Sequence, residues 1–207
     1  SGLTYIKQEF DLIREKLGID SLDALRFAFL RLGYAASVFY EVFLSLDLFK
    51  EIWEKGFIIE DSGPVERKED NEIVGAFFYF VPSRYSETKT IIDSVYIQLK
   101  EDGTAYVEYE VIIGFLEDFG EKKFNRLTTR LKNAIDELED DIIDFEEEIP
   151  ADAEVNVDIN AENCLSLLIS VYISDFRLLP GLEEIEKLMA KILRKAKLTR
   201  YIRRSLR

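Results

Sequence analysis

The 207-residue chain is predicted to be an α+β protein in which a mainly antiparallel sheet of about five strands is packed by long helices, with a helical N-terminal segment ahead of it. Three patterns lead there. Thr90 to Leu99 and Ala105 to Val111 alternate apolar and polar residues on either side of a glycine-containing turn, as a hairpin does. Glu121 to Glu148 repeats apolar residues at three- and four-residue steps. Strand-like and helix-like runs are also grouped rather than strictly alternating, which favours antiparallel pairing over βαβ crossovers.

From the N-terminus, Leu3 to Leu17 carries a helical stripe (Tyr5, Ile6, Phe10, Ile13, Leu17) closed by Gly18. Asp20-Ser21 offers an N-cap for a second helix through Leu32. After Gly33 the apolar pattern resumes from Tyr34 through Phe49, Ile52 and Trp53 to Gly56, so one kinked helix or two abutting ones would fit. Its aromatic density suits core packing, or an apolar surface for a dimer partner or client segment. Glu60 to Glu72 is polar and aperiodic around Gly63-Pro64 and reads as a loop. Ile73 to Val81 is almost continuously apolar and stops at Pro82, as a strand covered on both faces would.

The hairpin can be put in register. A two-residue Asp102-Gly103 loop would mix faces, setting Leu99 opposite Tyr106. A three-residue Glu101-Asp102-Gly103 loop with Gly103 left-handed sets Leu99 opposite Ala105, Ile97 opposite Val107 and Val95 opposite Tyr109. The other face then bears Tyr96, Gln98, Lys100, Tyr106, Glu108 and Glu110, either a solvated surface or a recognition surface with Tyr96 and Tyr106 as partner-binding candidates. Glu121 to Glu148 follows as a single helix ended by Pro150. Strands Val155 to Ile159 and Leu165 to Ile173 turn around Asn160 to Asn163, and Pro180-Gly181 opens the last helix. The organisation is thus a helical segment (1–56), a polar loop (57–72) and a βββαββα unit (73–207) ending in a basic helix, together one compact unit.

Composition excludes several chemistries. There is no histidine, so no Ser-His-Asp triad, Cys-His pair or His-ligated zinc can form. The single Cys164 forbids an intrachain disulfide and sits in an apolar run, which reads as an inert packing residue in a reducing, cytoplasmic setting. Leu32 to Leu46, the most apolar stretch, contains Glu41 and is too short to span a bilayer, which takes about 20 residues. The only methionine, Met189, is internal, so Ser1-Gly2 reads as a cloning remnant or the edge of an excised segment. A third of the residues are charged, with few thermolabile side chains, a composition like that of proteins from hot habitats.

Charge is segregated. Forty-one acids against 27 bases give a net −14, which would repel a polyanion unless the bases were gathered in one place. Asp136 to Glu148 holds nine acids and no base, and the same helix begins with Lys122, Lys123, Arg126, Arg130 and Lys132. Both ends oppose the helix macrodipole. Lys187 to Arg207 holds nine bases and no acid, leaving a body of −23 with a +9 tail. The tail either docks on the acidic helix end (Asp136, Asp140, Asp144, Glu147), or meets RNA or DNA through Arg194, Arg200, Tyr201, Arg203, Arg204 and Arg207, or lies on an anionic membrane surface, the least favoured of these, or stays solvated.

No phosphate-binding glycine loop or nucleophile elbow occurs, and no cofactor, metal or catalytic residue is assigned. The nearest enzymatic pattern, a magnesium-dependent nuclease using Asp93, Gln98 and Lys100, is the least favoured alternative, because Asp93 falls on the opposite face of the hairpin. From Tyr34 to Ala196 the order helix, three strands, helix, two strands, helix resembles that of type III secretion chaperones and YbjN-like domains. That resemblance implies a small acidic protein, often a dimer, that holds an extended apolar segment of another protein without catalysis. The expected function is therefore non-enzymatic binding, adaptor or chaperone-like, with nucleic-acid association through the basic C-terminal helix as the alternative.

Overall fold

In the computed structural model of the chain, residues 47–83, 90–100, 102–150 and 152–202 are described. The helices expected over Leu3 to Leu32, the run from Tyr34 to Leu46, and Arg203, Arg204 and Arg207 lie outside them. The fold is α+β, with one six-stranded antiparallel sheet. Helix α1 (Asp47–Glu54) leads into β1 (Phe57–Glu66), β2 (Ile73–Pro82), β3 (Ser94–Lys100) and β4 (Ala105–Phe115). A short α2 (Leu116–Phe119) precedes α3 (Glu121–Glu137) and α4 (Glu139–Glu148), then come β5 (Glu154–Ala161), β6 (Cys164–Ile173) and α5 (Leu182–Lys195). The strand order is β1-β2-β3-β4-β6-β5.

The hairpin register is the three-residue one. Leu99 faces Ala105, Ile97 faces Val107 and Val95 faces Tyr109. Gly103 has φ 92°, its N–H donates to Lys100 O at 3.0 Å, and Lys100 N–H donates to Thr104 O at 2.9 Å. A left-handed residue after a tight turn is what lets the loop hold three residues without flipping the strand faces. One face of the sheet is consequently the core: Val95, Ile97, Val107, Tyr109, Leu167, Ile169 and Val171 are essentially inaccessible, together with the apolar stripes of α1, α3 and α5.

Two expectations are corrected. Phe57–Glu66 is a strand rather than the start of a loop, which makes the sheet six-stranded; only the turn from Arg67 to Glu72 is left of the loop. Its alternation is hidden because the β1–β2 register shifts between Ile59 and Asp61. That bulge moves Ser62 to the buried side, while Glu60 and Asp61 are exposed. Pro64 is tolerated because β1 is an edge. Second, Glu121 to Glu148 is two helices broken at Leu138 (φ −99°, ψ 16°). No proline or glycine sits there, but the break lies at the head of the acidic run. Restarting the helix puts Glu139, Asp140 and Asp141 in a first turn, where the macrodipole favours them.

The last helix is held at both ends by distant groups. Its N-terminus has no side-chain cap of its own; instead the Glu51 carboxylate of α1 accepts the Leu182 N–H at 2.5 Å. Its C-terminus closes in a Schellman motif, Leu198 N–H to Leu193 O and Lys197 N–H to Arg194 O, both 3.0 Å, with Lys197 left-handed at φ 58°. Leu193 and Leu198, the apolar pair of that motif, are fully buried.

Candidate binding surfaces

The described helices pack on the core side, so the polar side of the hairpin belongs to a sheet face that no described helix covers. The pleat and register place aromatic side chains across it: Phe77 and Tyr79 on β2, Tyr96 on β3, Tyr106 on β4 and Tyr172 on β6. Tyr96 stacks on Phe77 with ring centroids 5.9 Å apart and meets Tyr106 edge to face at 6.2 Å. Tyr106 O–H donates to Glu108 Oε2 at 2.7 Å, and Tyr96 O–H donates to Gln98 Oε1 at 3.4 Å. Burial, with the Glu108 carboxylate second, pushes the Tyr106 phenol up to about 12, and the same two causes raise Tyr96. Both phenols are therefore neutral donors at ordinary pH. Tyr172, opposite Tyr106, is 45% exposed and shares a 200 Å³ hollow with Tyr106, Gln98 and Lys100. Tyr96 and Tyr106 thus belong to an aromatic row, of which the sequence reading named only these two members.

At the far end of the same face Glu110 is half-buried, accepts Ser166 O–H at 3.1 Å and is raised by burial. The Cys164 thiol is pushed up by burial and by the Glu110 and Asp93 carboxylates, which disfavours a reactive thiolate. Asp93 accepts the Ile112 N–H at 2.7 Å, just ahead of β3, whereas Lys100 ends that strand. Seven residues of extended chain separate them by about 23 Å, so the nuclease pattern is not assembled. Among the described residues no group of three or more His, Cys, Asp or Glu side chains is arranged to hold a metal ion, and no helix is long and apolar enough to cross a membrane.

The charge segregation resolves into two poles along α5. Lys191 pairs with Asp141, and Lys195 with Glu137 at 3.4 Å, so the acidic helix pair does receive the basic helix. The acids singled out from sequence are its neighbours: Asp136, Asp140, Asp144 and Glu147 are exposed, with no ion pair among the described residues. Glu137 and Asp141, four apart, match Lys191 and Lys195, four apart, an i, i+4 spacing that is the signal in the sequence for this stripe in place of the four acids expected. These side chains are about half exposed, so each pair contributes at most about 1 kcal/mol. What holds α5 is apolar: Leu182, Ile185, Met189, Ile192 and Leu193 are fully buried. The C-terminal segment through Ile202 is thus part of the core rather than a tail.

At the acidic pole, Asp144, Glu148 and Glu184 line a 700 Å³ groove beside the start of α5. At the basic pole, Arg130 of α3 donates to Ala196 O at 3.0 Å and Lys197 O at 2.5 Å, completing the C-terminal cap of α5. Arg130 therefore sits where the dipole of α5 favours a cation. Arg194 and Arg200 are exposed here. Tyr201 lies edge to face with Phe119 at 5.3 Å, with Lys123 over its ring at 5.0 Å and Arg200 at 4.8 Å. Lys123 and Arg130 are contacts of the C-terminal segment that the sequence does not announce, since about 70 residues separate them from Ala196, Lys197 and Tyr201.

Comparisons with protein-family models, curated proteins and solved structures give no match to this chain.

Proposed function

We propose that the chain is a non-enzymatic binding protein, an adaptor or chaperone-like protein that receives a segment of a partner protein on its tyrosine-bearing sheet face. The observation that carries this reading is the aromatic row from Phe77 to Tyr172, laid across four adjacent strands and free of described helices. Tyrosines suit such a surface, since each combines a large apolar contact with a hydroxyl that tolerates water. From β2 onward the order of elements, three strands, helices, two strands and a helix, resembles that of type III secretion chaperones, with β1 as an added strand between that unit and the helix before it, and the single unbridged Cys164 accords with a cytoplasmic setting.

The test is site-specific crosslinking. A photoreactive phenylalanine at position 172 is expected to trap a discrete protein, or a second copy of the chain, in cells that express it. The Tyr96→Ser/Tyr106→Ser variant should lose the adduct while keeping its melting temperature within a few degrees. Equal trapping from a probe at exposed Lys132 on α3, or an adduct indifferent to the double substitution, would overturn the assignment to this face. Size-exclusion chromatography with light scattering separates the homodimer from a foreign partner.

A further inference from the structure

We infer that the corner where the first turns of α3 meet the C-terminal end of α5 binds single-stranded nucleic acid, with the bases holding phosphates and an adjoining hollow receiving a nucleobase. Residues 122–135 and 187–207 each contain bases and no acid. The fold brings these two distant runs together, through Arg130 on the carbonyls of residues 196 and 197 and Lys123 over Tyr201. Lys123, Arg126 and Arg130 follow one another at helical three- and four-residue steps, so they line one stripe of α3 beside Lys197 and Arg200.

Lys122, Arg126, Lys197 and Arg200 are exposed, and none is ion-paired among the described residues. Arg130 has a structural use as a cap; Lys122 and Arg126 have none, and at the start of α3 they cost helix stability. Glu117, Asp118 and Glu121 are the acids nearest in sequence and Asp93 lines the adjoining hollow, four carboxylates against the six bases Lys122, Lys123, Arg126, Arg130, Lys197 and Arg200.

The neighbouring hollow makes this corner more than a charged patch. It encloses about 520 Å³ between Ile112, Phe115, Phe119, Asp118, Arg200 and Tyr201. Phe115 is 43% exposed, one of the few large apolar side chains among the described residues that is. An aromatic wall beside a guanidinium accepts the face of an unstacked base, and the carboxylate of Asp118 accepts hydrogen bonds from exocyclic amines. A duplex keeps its bases stacked and cannot enter. The remainder of this acidic molecule repels a polyanion, which confines binding to the corner.

Fluorescence anisotropy with an end-labelled 12-nucleotide oligocytidylate, titrated with the full chain at 50 mM salt, tests the inference. Saturable binding is expected. Lys122→Glu/Arg126→Glu should weaken it at least tenfold and lower the slope of log affinity against log salt by about 1.4, the value for two lost phosphate contacts on a single strand. Lys50→Glu/Lys68→Glu, with the same change in net charge on exposed residues of α1 and the β1–β2 turn, should stay within twofold of the parent. The RNA duplex, inorganic polyphosphate and phosphatidylglycerol vesicles should each compete at least tenfold less well than unlabelled oligocytidylate. Absent binding, equal loss in the two double variants, or equal competition by any of those three would overturn it. Because Tyr172 and its neighbours are not involved, Tyr96→Ser/Tyr106→Ser should bind the oligonucleotide unchanged, so this result stands or falls apart from that for the sheet face.

Discussion

Tyr109→Phe is expected to stabilise the protein. Tyr109 sits on β4 between Val95 and Ile169, is wholly buried, and its hydroxyl has no hydrogen-bond partner among the described residues. Burying an unpaired hydroxyl costs about 1–3 kcal/mol on mutational scales. Removing the oxygen leaves a void of roughly 15 Å³, a penalty of about 0.4 kcal/mol at 24 cal/mol per Å³. The net gain is about 1 kcal/mol or somewhat more, or about 2–4 °C in melting temperature for a chain of this size. Burial, aided by the carboxylates of Glu51 and Glu184, also holds the Tyr109 phenol far above its ordinary range. A raised folded-state value means the folded form keeps a proton that the unfolded form gives up. The contribution is therefore fully present below about pH 10 and is lost as pH rises beyond it. Between pH 7 and pH 11 the gap between variant and parent should widen by about 1.4 kcal/mol. Urea unfolding at both pH values measures this directly. A variant less stable than the parent by more than about 0.5 kcal/mol at pH 7, or a gap that stays constant to pH 11, would refute the reasoning.

Three further perturbations follow from the way α5 is held. Glu51→Ala removes the acceptor for the Leu182 N–H and should cost about 1–2 kcal/mol by urea unfolding, as loss of an N-cap does. Lys197→Gly relieves a left-handed lysine and should gain about 0.5–1 kcal/mol in the same assay. Leu198→Ala should cost about 2–4 kcal/mol, with the same loss at low and high salt, since Leu198 is fully buried and its role is apolar. A cost that vanishes in high salt would mean that ion pairs, not packing, dock the C-terminal segment.

The hairpin register was legible in the sequence because one residue of slip would have sent Val95, Ile97 and Leu99 to the wrong face, an alternative with a large energy penalty. β1 was not legible, because a bulge at Glu60 and a proline on an edge break the two-residue period that identifies a strand. The division at Leu138 was hidden for a different reason. Phe124, Leu127, Leu131, Ala134 and Leu138 continue smoothly into Ile142 and Phe145, so the apolar stripe survives the break that the acidic run induces. Of the candidate surfaces, Tyr96 and Tyr106 were found through pleat parity alone. The basic corner was not, since α3 and α5 lie far apart in sequence and only the tertiary fold shows that one helix caps the other.

The sheet's two margins bear on how any protein could associate with it. Among the described residues β1 and β5 are the outermost strands. β1 carries Pro64, which cannot donate, and a dislocation at Glu60; β5 alternates Glu154, Asn156, Asp158 and Asn160 along its exposed side. Both rims resist recruitment of a neighbouring strand, because extending the hydrogen-bonded ladder would meet a missing donor and a kink on one side and a row of carboxylates and amides on the other. Growth of the sheet into a fibre or a strand-sharing oligomer is thereby discouraged even at high expression. On the binding role proposed above, association falls to side chains on a flat surface, where the choice of companion would depend on shape and aromatic fit rather than on the generic affinity of one backbone for another.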